Sequence, residues 1–172
     1  MRITIRFMAL VCLLAAASTR AGSIPAGWDM VHPLGARCWT LMPAQPQPDP
    51  SRPNFWTSVS GTRQVYRLGF EDQAAAGLDG TPLLSASSTA IIQAGGGKLL
   101  TRGYGQLYGF PLCDFKWAPG PGQVEAAHLV LVKRRLYVLE CDESGQPGDD
   151  QLEKLFFSSI HFLRPNANKG RP

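Results

Sequence analysis

The chain has 172 residues, of which 44% are hydrophobic and 17% charged, with 18 Gly and 14 Pro. This length and balance fit one ordinary domain with its own core; they exclude a multidomain enzyme, a wholly disordered chain and a coiled coil. The formal net charge of +4 would indicate a nucleic-acid or membrane partner only if the folded part of the chain carried that charge.

Residues 1–21 have the pattern of a secretory signal peptide. Arg2 and Arg6 precede an unbroken apolar run, Phe7–Ala17, and small residues follow as far as Ala21. The run of 11 residues is too short to cross about 30 Å of hydrocarbon as a helix, so we expect no stable membrane anchor. Cleavage there removes three arginines and no acidic residue, which leaves the chain nearly neutral and argues against nucleic acid. We expect a periplasmic location, with secretion as the alternative.

Export would leave Cys38, Cys113 and Cys141 in a compartment that permits disulfides, and at most one bridge can form among three cysteines. Neither a CxxC pair nor a Cys/His pair at zinc spacing occurs, so the sequence predicts neither a redox dithiol nor a local zinc site. The simpler interpretation is that some or all of the three are small buried residues within strands.

The first half of the mature chain begins with strands. Ala36–Met42 is predicted as the first strand, and Pro43–Pro53, with five prolines, as a loop, because proline lacks an amide donor and favours extended geometry. The loop resembles a ligand of proline-recognition domains, but a stiff connection explains it more simply. Phe55–Ser60 and Arg63–Phe70 flank Gly61-Thr62 and predict a hairpin.

A helix follows, with Asp79 or Thr81 as its cap and an apolar residue every three or four positions. The run Gly95–Gly97 is predicted to end it. A lysine comes directly after these glycines, as in a phosphate-binding loop. However, Ile92 and Leu99 stand where that motif requires a glycine and a hydroxyl, so a helix stop is the better interpretation.

Four strand-like segments come next: Lys98–Leu107, Phe110–Trp117, Val124–Lys133 and Arg135–Cys141. Their short connections make neighbouring strands antiparallel. The last two segments carry apolar residues at consecutive positions, which predicts that both of their faces are covered and that they form the centre of the sheet. The basic corner Lys133-Arg134-Arg135 could bind an anion, although solvated surface charges explain it more simply.

Asp150 and Glu153 stand at capping-box spacing and predict a short second helix. The side chains of Ser158–Leu163 alternate between polar and apolar, which predicts a last strand. Residues 164–172 are predicted to be a disordered tail. The order of elements predicts a single domain over residues 22–163. Its fold class is α+β, an antiparallel β-sheet with helices packed on it.

The last third of the chain also resembles a known group. Residues 135–163 read RLYVLECDESGQPGDDQLEKLFFSSIHFL and resemble the end of periplasmic and lumenal domains of the PsbP/Mog1-like group, where a strand leads into a helix ending in FxxSF and a final strand. The matching positions are Arg135, Tyr137, Leu139, Phe156 and Ser159, with Ile160 in place of the second aromatic.

Two upstream segments extend the resemblance. Residues 95–117 resemble the strand, turn and strand that precede this ending. Residues 27–46 resemble the opening of the group, with matches at Trp28, Gly35 and Pro43, and Cys38 in place of an aromatic. The resemblance implies a PsbP/Mog1-like α/β/α sandwich. Because the matching residues are packing and turn residues, it predicts a fold rather than an activity.

Members of the group act as accessory, chaperone-like or partner-binding proteins, among them photosystem assembly factors, a small-GTPase-binding protein and secretion-associated chaperones. The resemblance therefore implies a non-catalytic periplasmic accessory or protein-binding module, whose partner is another periplasmic or secreted protein. Two alternatives stay open: an immunity or chaperone protein paired with a secreted effector, and a small-ligand carrier with a pocket between sheet and helix.

An enzyme would need a nucleophile and a base, and the candidates are three histidines, His32, His128 and His161, with a cysteine. No GxSxG elbow or recognisable triad arrangement accompanies them, so we expect no catalytic activity, no cofactor and no metal. Pairing of the predicted strands could bring Cys113 near His128, which makes this the one pair with a geometric basis.

Rigid amphipathic rings suit protein interfaces, and they supply the candidate partner-binding residues. These are Trp56, Tyr104, Tyr108 and Trp117, which we expect to be exposed. The alternative is that the same rings close the core.

Overall fold

The computed structural model describes residues 24–43, 45–61, 63–73, 80–143 and 149–163. The predicted signal peptide, the predicted tail and the candidate helix cap Asp79 lie outside the described residues.

The described residues form ten strands and two helices. In chain order these are β1 (Trp28–Val31), β2 (Cys38–Pro43), β3 (Gln47–Pro48), β4 (Phe55–Val59), β5 (Val65–Asp72), α1 (Gly80–Ala94), β6 (Lys98–Leu107), β7 (Phe110–Ala118), β8 (Val124–Val132), β9 (Arg135–Glu143), α2 (Asp149–Ser158) and β10 (His161–Phe162). Seven strands form one antiparallel sheet in the order β3-β4-β5-β9-β8-β7-β6, and a three-stranded sheet has the order β1-β2-β10. The α+β class with an antiparallel sheet is therefore confirmed.

The centre of the large sheet lies where the sequence predicts it. Strand β9 pairs with β5 on one side and with β8 on the other, and β8 pairs with β7. Leu129 and Val138 are buried on one face of this pair, while Val130 and Tyr137 are buried on the opposite face. Continuous apolar sequence in β8 and β9 thus reflects two covered faces.

Each face of the large sheet supports its own core. Helix α1 covers one face, where Leu84 and Ile92 join the cluster that contains Phe115. Helix α2 and strand β2 cover the other, where Phe156 and Met42 join a second cluster. The helices thus lie on opposite faces of the large sheet in an α/β/α arrangement.

A buried polar network joins α2 to β2. The Ser159 hydroxyl donates to the carbonyl oxygen of Phe156 at 2.8 Å and accepts from the backbone amide of Leu41 at 2.9 Å. It also lies 2.7 Å from the Thr40 hydroxyl. Phe156 fills the core, while Ser159 satisfies backbone groups at the helix end.

The structure corrects the sequence prediction at both ends of the domain. A strand, β1, precedes the predicted first strand, and the proline-rich loop contains the two-residue strand β3 at the sheet edge, where proline is tolerated. The last strand is shorter than predicted and is limited to His161–Phe162. The reason is that α2 continues through Ser158, with the Ser159 amide still donating to the Leu155 carbonyl oxygen at 3.0 Å.

The start of α2 also differs from the prediction. The helix begins at Asp149, so Asp150 lies within its first turn and not at its cap. Glu153 instead forms an ion pair with Lys116 of β7, with an Nζ–Oε1 distance of 3.3 Å. This contact fixes α2 against the large sheet.

Candidate functional site

The four predicted ring residues have different environments. Tyr104 and Tyr108 are 48% and 56% exposed, as expected of interface residues. Trp56 is half-buried and stacks on Phe70 with ring centroids 6.1 Å apart. The expectation that Trp117 is exposed is wrong: it is 2% exposed, because strand alternation points it into the core under α1. Of this set, only the two tyrosines are about half exposed.

Tyr104 belongs to the first candidate site, the outer edge of β6, which we call the β6 edge. Strand β6 ends the seven-stranded sheet and pairs with β7, and no described strand pairs with its other side. Its register shifts between Leu99 and Thr101, and from Thr101 to Leu107 the pairing is regular. A regular, open strand edge offers a row of backbone donors and acceptors to another extended chain.

The side chains of the β6 edge differ between its two faces. Tyr104 lies opposite Cys113 and Leu99 opposite Trp117, which places both on the α1 face of the sheet. Arg102 and Gln106 share the α1 face with Tyr104, and the other face carries Thr101, Gly103, Gly105 and Leu107. On that face the carboxylate of Asp114 lies against Gly103, whereas Gly105 has open space beside it, so the backbone is accessible at Gly105.

The second candidate site is a cavity of about 480 Å³ at the end of the molecule where β5, β8, β9 and β10 approach the β6–β7 turn. We call it the basic cavity. Its basic lining residues are Arg37, Lys133, Arg134 and Arg135, and among the described residues its one acidic lining residue is Asp72. The basic corner that the sequence singled out is therefore part of a concave site.

One arginine of the basic cavity is already matched. Arg135 donates two hydrogen bonds to the carboxylate of Asp72, at 2.7 and 2.8 Å, and its guanidinium lies 4.2 Å from the ring centroid of Phe70. The hydrogen bond from Arg135 lowers the pKa of Asp72 and raises that of Arg135. This pair lines one side of the cavity, Arg134 donates from its Nε to the carbonyl oxygen of Gln73 at 3.2 Å, and Arg37 and Lys133 add two further positive charges to the lining.

Aromatic rings form the floor of the basic cavity. His161 stacks between Trp39 and Tyr108, with centroid distances of 4.0 and 5.3 Å. Phe162 packs against Tyr137 at 4.8 Å and edge-on against a further phenylalanine, Phe110. The floor is thus a set of aromatic rings in mutual contact.

Tyr137 is held in this floor by its hydroxyl, which donates to the carbonyl oxygen of Ala36 at 2.6 Å. Burial raises the pKa of Tyr137 to about 12, so it is neutral at physiological pH and adds no negative charge to the cavity.

The rim of the basic cavity has unusual backbone geometry. Arg37, Tyr108 and Lys133 have φ values of 55°, 52° and 58°, in the left-handed region that non-glycine residues rarely adopt. Holding three bulky side chains in this region costs conformational energy, and such strain concentrates at functional positions. The sequence could not reveal this site because its lining comes from five separate strand ends and turns.

A third concavity, of about 650 Å³, lies between the end of α1 and the sheet, where the sequence alternative placed a ligand pocket. Its charges are largely paired with one another. Arg52 contacts the buried carboxylate of Glu140 at 2.6 and 3.0 Å, and Arg67 lies 3.8 Å from Glu125. Internal pairing of this kind indicates a structural role.

The catalytic pair considered from the sequence does not form. In the β7–β8 ladder Cys113 lies opposite Leu129, while His128 lies opposite Asp114, so Cys113 and His128 point to opposite faces. His128 stacks on Phe157 of α2 at 4.0 Å, and burial lowers its pKa to about 4.

Cys38, Cys113 and Cys141 are buried in the two cores, which confirms their interpretation as small core residues. Burial raises the pKa of Cys38 to about 12 and also raises that of Cys113. A nucleophilic cysteine needs a lowered pKa, so these two thiols have the opposite environment.

Two further properties hold for the described part of the chain. It contains no cluster of three or more His, Cys, Asp or Glu side chains arranged to hold a metal ion. Its helices are also too short or too polar to cross a membrane.

Comparison by sequence matches no family model and no curated protein. Comparison by structure finds the solution structure of cyanobacterial PsbP (CyanoP) from Synechocystis sp. PCC 6803, with a TM-score of 0.61 and 10% identity, covering 85% of this chain and 98% of that one. The Ran-binding protein Mog1p of Saccharomyces cerevisiae matches with a TM-score of 0.53 and 12% identity, covering 79% and 95%.

A protein of unknown function from Pseudomonas aeruginosa, PA94, matches with a TM-score of 0.50 and 13% identity, over 81% of this chain and 99% of that one. The chain therefore has a PsbP/Mog1-like fold, as its sequence pattern predicts. Identities this low extend the likeness to the fold alone.

Proposed function

We propose that this PsbP/Mog1-like chain is a non-catalytic accessory protein of the periplasm that binds another periplasmic or secreted protein. The signal-peptide pattern of residues 1–21 supports export. One structural neighbour, Mog1p, is named a Ran-binding protein, so at least one protein with this fold binds another protein. The observation that carries the proposal is the β6 edge.

The partner contributes an extended segment that pairs with β6 over Thr101–Leu107, where the strand is regular. Backbone hydrogen bonds supply affinity in such strand addition, and side-chain contacts supply specificity. On the α1 face the added strand meets the ring of Tyr104, which is 48% exposed. On the other face Gly105 leaves open space for the added strand, whereas the carboxylate of Asp114 lies against Gly103.

A crosslinking experiment tests this binding mode. A photoreactive phenylalanine analogue replaces Tyr104 in the tagged protein, which is expressed in its native host, irradiated and purified from the periplasm. We expect one protein to be crosslinked in stoichiometric yield. The same analogue at the exposed α1 residue Gln93 serves as the position control and should not capture that protein.

A matched pair of glycine variants identifies the edge as the docking element. A Cβ at Gly105 or at Gly61 would meet no atom within 4 Å, so lysine fits at either position without disturbing the fold. Gly105→Lys places a charge on the edge and should abolish crosslinking through position 104, whereas Gly61→Lys in the β4–β5 turn should leave it unchanged. Equal crosslinking in both variants would refute the β6 edge as the interface.

The location is tested separately by osmotic shock of the native host. We expect the shock fraction to contain the protein with residue 22 at its N-terminus. A chain retained in the cytoplasm with Met1 intact would contradict the periplasmic part of the proposal and leave the edge experiment to be judged on its own.

A further inference from the structure

We infer that the basic cavity binds a small amphiphilic carboxylate, a molecule with one anionic head and an apolar chain or ring. This site is separate from the β6 edge, and the inference goes beyond the proposed protein binding. Its volume of about 480 Å³ is within the range of small-molecule sites, about 300–1,000 Å³.

The charge of the cavity specifies the head of the ligand. Arg135 donates two hydrogen bonds to the carboxylate of Asp72 and compensates its negative charge. Arg37 and Lys133 add two further positive charges around the same concave surface, while Arg134 donates from its Nε to the carbonyl oxygen of Gln73. An anionic head at the rim would be attracted by Arg37 and Lys133, and a carboxylate can accept from both.

The floor of the cavity specifies the rest of the ligand. Tyr137 is neutral and its hydroxyl is bonded to Ala36, so it turns no unsatisfied polar group towards a ligand. Phe110 and Phe162 pack edge-on and supply apolar surface beside it. A ligand with an apolar chain or ring removes this surface from water, which an inorganic anion cannot do.

The rim geometry makes the two cations easy to test. Lys133 and Arg37 both have left-handed φ values, where glycine is favoured on backbone grounds. Arg63, an exposed residue outside the cavity lining, has a φ in the same region and provides the comparison.

The same geometry provides a clean test. Glycine accepts a left-handed φ without strain, so Arg37→Gly and Lys133→Gly remove the two charges and relieve the backbone. Arg63→Gly is the matched control: Arg63 has a φ of 67° and precedes β5, at the end of that strand opposite to Asp72, roughly 25 Å away.

The experiment is calorimetric titration of the mature chain with decanoate below its micelle concentration. We expect one decanoate per chain, a progressive loss of affinity from decanoate through hexanoate to butyrate, and binding of neutral decanol at least tenfold weaker than that of decanoate. The Arg37→Gly, Lys133→Gly double variant should weaken decanoate binding at least tenfold, and Arg63→Gly should leave it unchanged.

Three results would overturn the inference. The first is equal decanoate affinity in the double variant and in Arg63→Gly. The second is binding independent of chain length. The third is inorganic phosphate that competes with decanoate at equal concentration, which would mean that the head alone is recognised. Circular dichroism of each variant confirms that the comparison is made between folded proteins.

Discussion

At the scale of single residues, the most informative side chain is His128. Burial against Phe157 lowers its pKa to about 4, an effect that nearby Lys116 adds to and Asp114 partly opposes. The unfolded chain has a histidine pKa of about 6.5, so it binds the proton more strongly than the folded protein does. His128 therefore lowers the free energy of unfolding as the pH falls from about 6.5 to about 4.

The expected loss is about 3 kcal/mol over that range, measured by urea unfolding at pH 7.5 and pH 4. Burial raises the pKa of Glu125, so protonation of Glu125 raises the free energy of unfolding just above pH 4.5. The pH dependence of the wild type therefore combines two opposing effects. The His128→Phe variant keeps the ring stack on Phe157 and serves as the control. We expect its stability to fall less than that of the wild type over the same interval, and equal pH dependence of the two would contradict the assignment.

At the scale of elements, the end of α1 shows how neighbouring glycines can have different functions. The Gly97 amide donates to the Ile92 carbonyl oxygen and the Gly96 amide to that of Gln93, both at 3.1 Å, and Gly96 has a φ of 68°. This is a Schellman cap. Gly97 has a different role, because a Cβ there would lie 2.6 Å from Cδ1 of Trp117 and 2.9 Å from the Ala118 carbonyl oxygen.

Two substitutions separate these roles. Gly96→Ala has open space around it and should cost about 1 kcal/mol through its left-handed backbone. Gly97→Ala should cost about 2 kcal/mol through overpacking and should also shift the tryptophan emission, because Trp117 must move. Unfolding curves followed by fluorescence measure both effects. Unchanged emission in Gly97→Ala would show that the indole is not constrained from this side.

At the scale of the whole molecule, one ion pair attaches the proline-rich loop to the middle of the sheet. Arg52 and Glu140 are 88 residues apart, and Glu140 is 3% exposed, whereas the Arg52 side chain is about a third exposed. Arg52→Gln leaves a buried carboxylate without its partner and should cost about 3 kcal/mol. Glu140→Gln leaves an arginine that can reach water and should cost less.

Chemical denaturation of both single variants and of the double variant measures this asymmetry. The double variant should be more stable than the sum of the two single losses predicts, because removing both charges leaves neither unpaired. Strict additivity would mean that the two side chains act independently in solution.

The sequence predicts most of the large sheet because its strands follow one another through short turns. Alternation and turn residues locate β4 to β9 and α1, and continuous apolar runs identify β8 and β9 as central. The register between β7 and β8 was harder to predict. Placing Cys113 beside His128 is wrong by one residue, and a slip of one residue moves a side chain to the other face of the sheet. Trp117 is buried for a different reason, because strand alternation turns its side chain towards α1.

What the sequence could not predict depends on residues far apart in the chain. The partner of β10 is β2, which no local pattern indicates. Of the two candidate sites, the β6 edge was partly visible through Tyr104, and the basic cavity through Tyr108 and the corner at Lys133–Arg135. Its rings and its remaining cation come from other strand ends, which meet only in the folded protein.

Strand β2 pairs with β10 and packs against α2, so it is uncovered during synthesis until those segments have been made. Thr40 and Ser159 are 119 residues apart, so β2 is complete long before the segments that cover it exist. At about 5–20 residues per second, this interval is on the order of ten seconds. During that time Leu41 and Met42, which are core residues in the finished fold, have no partner from α2 or β10. The nascent chain therefore presents an aggregation-prone strand for seconds, and a chaperone that holds Cys38–Pro43 would raise the yield of folded protein.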